Sequence, residues 1–203
     1  MDFQGIQPLF YSPLSVFNIE DHQTLNQQLV NDIEAHRSEC VGVDKSNWKG
    51  WHSDYDFFRL QRPSFLTLQS NIIEAVKTTT RRLSPNFNLE DYELQAEGWI
   101  NILDQGGLNT PHDHPGWVWS GCYYVKVPKG MNELSGCIEF LDSRTAIRTL
   151  TVDGASCFES KYRVRPSEGM LLIFPAYLRH WVYPNDSDAS RITIAFNFRY
   201  LKK

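Results

Sequence analysis

Thr110-Pro111-His112-Asp113-His114-Pro115 places two of the chain's six histidines two residues apart, where a β-patterned stretch begins. In extended backbone, residues i and i+2 share a face, so both imidazoles address one point while Asp113 turns away. A pair of this kind needs a third partner from elsewhere, and the chain supplies one. His180 follows the apolar strand-like run Met170-Leu171-Leu172-Ile173-Phe174-Pro175, and Arg191 opens a further one, Arg191-Ile192-Thr193-Ile194-Ala195-Phe196. The order His-x-His, late His, Arg points to a metal and an anionic ligand in the mouth of a β-barrel.

Working outward, Tyr92 onward reads as β. Candidate strands are 92–103, 112–127, 136–141, 147–152, 160–165, 169–175, 180–183 and 191–200, separated by turn signals at Gly106-Gly107, Pro128-Lys129-Gly130, Asp153-Gly154 and Asn185-Asp186. The first ninety residues read differently. Residues 8–18 resemble an opening strand. Asp21 is a plausible N-cap for a helix to about Arg37, with Leu25, Leu29 and Ile33 on one face. Pro63 suits the first turn of a second helix whose apolar side carries Leu66, Ile72, Ile73 and Val76, and Ser84-Pro85 ends it. Many short strands after two helices predict a mostly β fold with flanking helices. The expected architecture is a double-stranded β-helix, a jelly roll of the cupin type, with the two N-terminal helices packed on one sheet. We expect one domain over 1–203: helical support and an aromatic loop in 1–90, the β core in 91–203.

The loop from about Cys40 to Arg62 holds Trp48, Trp51, His52, Tyr55 and two Phe. It is either a lid over the site or a plug closing one end of the core. His52 lacks a neighbouring partner and ranks below His180 as a ligand. Trp117, Trp119 and Trp181 lie close in sequence to the candidate ligands and are candidates for a substrate rim.

The net charge of −4 gives no cationic excess for neutralising phosphates, which argues against nucleic acid as partner. No apolar run is long enough to span a membrane, and the N-terminus lacks the basic and apolar regions of a signal peptide. Cys40, Cys122, Cys137 and Cys157 show neither CxxC spacing nor a disulfide framework, and we expect reduced thiols in a cytoplasmic protein.

His112, His114 and His180 would supply three nitrogens to one side of a metal and leave the other side open. Imidazole suits Fe, Zn, Cu and Ni alike. Arg191 would grip a carboxylate through its planar fork, unless Asp186 or Asp188 merely pairs with it on the surface. Tyr123 and Tyr124 alternate along a strand, so one faces in; an inward Tyr124 hydroxyl beside Arg191 would complete a clamp.

The run Asn109 to Pro115, then Ser120-Gly121-Cys122-Tyr123-Tyr124-Val125, Gly169 to Pro175, His180 and Arg191-Ile192-Thr193 resembles the Fe(II)- and 2-oxoglutarate-dependent dioxygenases. The likeness is greatest to the prolyl-hydroxylase-like branch and, within it, to a bacterial and phage group with an His-x-His motif. It spans about residues 92–200. The resemblance implies an oxygenase, of the hydroxylase kind, that couples decarboxylation of 2-oxoglutarate to O2-dependent oxidation of a small-molecule or peptide substrate. The setting would be cytoplasmic, the host's cytoplasm if the chain is phage-encoded. It assigns His112 and His180 as iron ligands and Arg191 and Tyr124 to the distal carboxylate of 2-oxoglutarate; facing direction along the strands adds Asn101 and Thr193 as further polar contacts. His114 stands where most of the superfamily has Asp or Glu. It ligates, or two histidines bind with water or substrate in the third position; entry of Asp113 runs against strand alternation. Two alternatives need no Arg191: a cupin-like three-His metalloenzyme (hydrolase, isomerase or co-acid-independent dioxygenase), and a non-catalytic ligand-binding barrel.

Overall fold

The two expected helices form and share one job, covering a sheet. In the computed structural model, which describes residues 1–7, 9–43, 45–130, 132–144, 152 and 154–203, α1 runs His22–Glu39 and α2 Pro63–Leu83. Leu25, Leu29 and Ile33 of α1 are buried as their spacing requires. Asp21 does precede α1, but in the left-handed conformation (φ 51°) and without a side-chain cap. On α2 the buried stripe is Phe65, Leu68, Ile72 and Val76; Leu66 is 43% exposed, because it lies one position off the stripe.

Among the described residues nine strands form one curled sheet: β1 (Ser15–Asn18), β2 (Asn47–His52), β3 (Tyr92–His112), β4 (Trp119–Lys126), β5 (Ile138–Leu141), β6 (Lys161–Val164), β7 (Met170–Pro175), β8 (His180–Val182) and β9 (Arg191–Lys202). The order is β1-β7-β4-β9-β3-β8-β5-β6, with β2 also on β3, and every ladder is antiparallel. The candidate strand 147–152 lies outside the described residues but for Val152, which is not in a strand.

Two expectations need correcting. The opening strand is only Ser15–Asn18. His112 closes a strand rather than opening one: β3 continues through Gly106-Gly107, where these residues bend the strand instead of turning it. The carbonyl of Asn185 accepts the N–H of Gly106 at 2.6 Å, and Gly107 returns its carbonyl to Asn185 N–H at 2.8 Å. By this length β3 serves both halves of the sheet, pairing with β9 over 92–103 and with β8 over 109–112.

Strand alternation divides the interior in two. Ile100, Ile102, Tyr123, Leu171, Ile173, Ile192, Ile194 and Phe196 pack beneath the helices; Leu103, Tyr124, Ile138, Phe140, Leu172, Phe174 and Val182 line the inside of the curl. The close approach of β4 to β7 depends on Gly121. A Cβ there would lie 2.3 Å from the Leu172 carbonyl oxygen and 2.4 Å from the Phe196 ring. Among the described residues no helix is long and apolar enough to cross a membrane.

Candidate metal and anion site

Register brings the histidines together. His112 sits directly opposite His180 across the β3–β8 ladder, their ring centroids 4.5 Å apart. His114 lies just past β3, its N–H donating to the Ala176 carbonyl at 2.9 Å, with its ring 5.0 Å from His112 and 5.3 Å from His180. One ring nitrogen from each residue lies within 4.8 Å of the others. His112 donates Nδ1–H to the Thr110 carbonyl at 2.6 Å and His180 to the Leu178 carbonyl at 2.9 Å, leaving Nε2 of each free to ligate. Burial lowers the pKa of all three. That of His112 is partly restored by the Thr110 carbonyl and by Asp113; His114 falls to about 4 and His180 to about 3, each helped by His112. Neutral imidazole is the ligating form.

A cavity runs inward from this cluster, lined by Trp99, Asn101, Asn109, Cys122, Phe174, Arg191 and Thr193 among others. Its polar row follows from the ladders: Asn101 pairs with Thr193, Thr193 with Tyr124, and Leu103 with Arg191. Arg191 is 3% exposed. Its guanidinium lies 5.2 Å from the centre of the Tyr124 ring and donates to Thr193 Oγ1 at 3.4 Å. Among the described residues no Asp or Glu pairs with it; Asp186 instead takes the N–H and side-chain amide of Asn132. Among the described residues Arg191 Nε and Asn101 Oδ1 are buried with no hydrogen-bond partner, and the buried Tyr124 hydroxyl meets only the weak partner Cys122. Natural proteins rarely leave such atoms unsatisfied; Arg191 Nε is a donor suited to an anion, whereas Asn101 Oδ1 accepts and suits an anion only with its amide turned so that the NH2 faces the cavity. Gly136 makes the room: a Cβ there would sit 3.0 Å from Arg191 Cδ. The residues present fit both a divalent ion at the imidazoles and a carboxylate at Arg191.

Residues 97–197 match the profile of the family described as "Putative 2OG-Fe(II) oxygenase". The chain belongs to the 2OG-Fe(II) oxygenases. Iron and 2-oxoglutarate are the metal and co-substrate of this family. Among solved structures, a prolyl-4-hydroxylase from Pseudomonas putida is similar over 92% of this chain and 91% of its own, with a TM-score of 0.63 and 13% identity. A prolyl hydroxylase from Trichoplax adhaerens, in complex with a hypoxia inducible factor peptide fragment, is similar over 91% and 82%, with a TM-score of 0.64 and 12% identity. HygX from Streptomyces hygroscopicus, with nickel and 2-oxoglutarate bound, is similar over 92% and 82%, with a TM-score of 0.58 and 12% identity. At these identities the likeness is one of fold, the double-stranded β-helix. The sequence matches no curated protein.

In this oxygenase the rim tryptophans are redistributed. Trp119 faces the helices, 8% exposed, and its Nε1–H donates to Thr80 Oγ1 at 3.0 Å. Trp181 alternates with His180 and faces outward, its ring 4.1 Å from Tyr183. Neither is a rim residue, because each sits on the strand face opposite the histidines. Trp117 carries the Arg199 guanidinium 4.9 Å from its ring. The aromatic loop is a plug at Phe57 and Phe58, which pack in the helix-side core. At His52 it becomes a wall: the imidazole stacks on Trp99, and Tyr55 meets Trp99 edge-on and His52 at a tilt. Trp99 and Asn197 are site neighbours that the motifs in the sequence do not single out. Counting by twos from Asn101 and Thr193 finds both.

Trp181 is instead part of a support for His180. Glu139, fully buried on β5, accepts from Trp181 Nε1 at 3.0 Å, Tyr183 Oη at 2.9 Å and Arg163 at 2.7 Å. Burial pushes its carboxyl pKa up, but these hydrogen bonds outweigh that and hold it below the ordinary value. A carboxylate with depressed pKa contributes stability above its unfolded pKa and loses it as pH falls through the folded one. Glu139→Gln is therefore expected to cost about 1–3 kcal/mol at pH 7. In denaturant titrations the deficit should shrink as pH drops into the acid range; a deficit independent of pH would overturn this account.

Proposed function

We propose that His112, His114 and His180 hold the iron, and that Arg191, Tyr124, Thr193 and Asn101 receive the distal carboxylate of 2-oxoglutarate. The reaction would be hydroxylation of a peptide or small-molecule substrate. One observation carries the reading: a buried guanidinium with no acidic partner among the described residues opens into the same cavity as three converging neutral imidazoles. Bound iron supplies O2 activation coupled to oxidative decarboxylation of 2-oxoglutarate.

The chain's own part is orientation and exclusion of water. Arg191 offers a rigid fork that matches a carboxylate, and Thr193 holds that fork from one side. Burial keeps the Tyr124 pKa well above its ordinary value, so its hydroxyl remains a donor. Phe174, Ile138 and Trp99 wall the cavity, which strengthens each polar contact inside it. The substrate would lie beside Trp99, which lines the cavity 5.6 Å from the His114 ring and is backed by His52.

Similar folds hold a peptide fragment in the Trichoplax enzyme and hygromycin B in HygX, which supports a peptide or small molecule here. The acidic balance of the chain supports the same choice over nucleic acid. We read 1–203 as one oxygenase unit working in the cytoplasm, a reading that the four free cysteines support.

The test is an anaerobic titration of apo-protein with Fe(II) and then 2-oxoglutarate, watching for the visible metal-to-keto-acid charge-transfer band. The expected result is a saturable band at one equivalent of each. Iron binding without a band would reject the co-substrate assignment and leave a three-His centre for other chemistry.

A further inference from the structure

The three imidazoles are not set alike. At His112 and His180 a main-chain carbonyl takes the Nδ1 proton, which leaves the Nε2 lone pair free. At His114 no carbonyl of the described residues does so. Its Nδ1 faces Asn197 Nδ2 at 3.3 Å. Asn197 is buried on β9, opposite Glu97 of β3, and the same Nδ2 donates to Glu97 Oε1 at 2.8 Å.

The two ends of an amide are told apart by their partners. An ionised carboxylate only accepts, so Glu97 turns the nitrogen end of Asn197 toward itself. The other hydrogen on Nδ2 then points to His114 Nδ1, which has to accept it. A neutral imidazole that accepts at Nδ1 carries its proton on Nε2. Neither nitrogen of His114 then has a lone pair left for a metal. The arrangement also has a cost, because Asn197 Oδ1 is buried without a partner among the described residues. Turning the amide over would give Oδ1 the Nδ1–H of His114 and free Nε2 to ligate.

We propose that Glu97 and Asn197 hold His114 in reserve: His112 and His180 are ready-made ligands, and His114 joins them only when the Asn197 amide turns over. The inference rests on the metal site proposed above and deepens it. Glu97 and Asn197 are positioning residues, acting on the metal through the tautomer of His114. The position where a neutral imidazole replaces the family's usual carboxylate is thus the position the chain regulates.

The experiment measures Co(II) affinity of the apo-protein in wild type, Glu97→Gln, His114→Ala and the double variant. The amide that Glu97→Gln introduces can donate to Asn197 Oδ1 as well as accept, so the Asn197 amide is free to reverse. Co(II) should bind about tenfold more tightly to Glu97→Gln, the scale of an outer-shell change, and the gain should vanish in the His114→Ala background. If Glu97→Gln folds poorly, Asn197→Asp provides the same test, since its carboxylate only accepts; its gain must likewise need His114. Weaker or equal binding in Glu97→Gln is what a simple attraction between Glu97 and the cation predicts, and would overturn the inference. A gain that survives loss of His114 would overturn it too. Undiminished Co(II) binding in His180→Ala is a separate result: it would remove the metal reading and this inference with it.

Discussion

His180→Ala is expected to abolish stoichiometric iron binding. His180 is the most deeply placed of the three imidazoles, 6% exposed, with its ring between His112 at 4.5 Å and Phe174 at 4.8 Å. It is also one of the two whose Nδ1 is already committed, so the variant keeps a single preset ligand. Loss of an outer-shell partner weakens metal binding by about 10–100-fold, and loss of a ligand should exceed that. The stability cost is smaller. The Leu178 carbonyl loses its donor and a neutral ring leaves the core, together about 1–3 kcal/mol. Equilibrium dialysis against Fe(II) with metal analysis, alongside a circular dichroism spectrum, separates the two effects. A folded variant that retains one iron per chain would remove His180 from the ligand set.

Arg191→Ala should spare the metal and damage the co-substrate. The guanidinium is buried, without an acidic partner among the described residues, and offers an unsatisfied Nε. Removing one member of a buried charged hydrogen-bonded pair costs about 2–5 kcal/mol of binding. At about 1.4 kcal/mol per factor of ten, the 2-oxoglutarate needed for half-maximal charge-transfer absorbance should rise by about a hundredfold. Iron affinity should stay within about twofold. Arg191→Lys should recover only part of the loss, because an ammonium is a point charge and cannot grip two oxygens at once. An unchanged requirement for 2-oxoglutarate would remove Arg191 from the clamp.

How far the sequence carried these assignments depends on residue spacing. Tyr124, Thr193 and Arg191 lie where alternation by twos fixes the face, whereas His112 shares the cavity with Asn109, three residues before it, because the register shifts between them. Asn101, His112, Arg191 and Thr193 line one cavity, and Tyr124 packs in the inner core beside it. The same rule correctly separates Tyr124 from Tyr123, whose hydroxyl donates to Asn26 on the helix side at 2.6 Å. Trp119 and Trp181 depart from the expected rim because nearness in sequence does not set the face: Trp181 is adjacent to His180 and for that reason points the other way. Gly106-Gly107 has the composition of a turn and yet sits inside β3, since hydrogen bonds to Asn185 keep the strand running. The Glu97–Asn197–His114 contacts were out of reach, because the distance between side chains of β3, β9 and a loop depends on how the sheet curls.

The ladder joining β3 to β8 is short and irregular, with Asn109 opposite Val182 and His112 opposite His180. Its second rung is made of two proposed ligands. A cation bound there works as a rivet between the long strand and the leaf formed by β8, β5 and β6. Binding to the closed form alone adds about 2.7 kcal/mol against opening when the free metal is about a hundred times its Kd. Without the metal, that leaf is the part best placed to swing away as a unit. Metal supply would then govern how long the protein survives proteases, before a single turnover takes place.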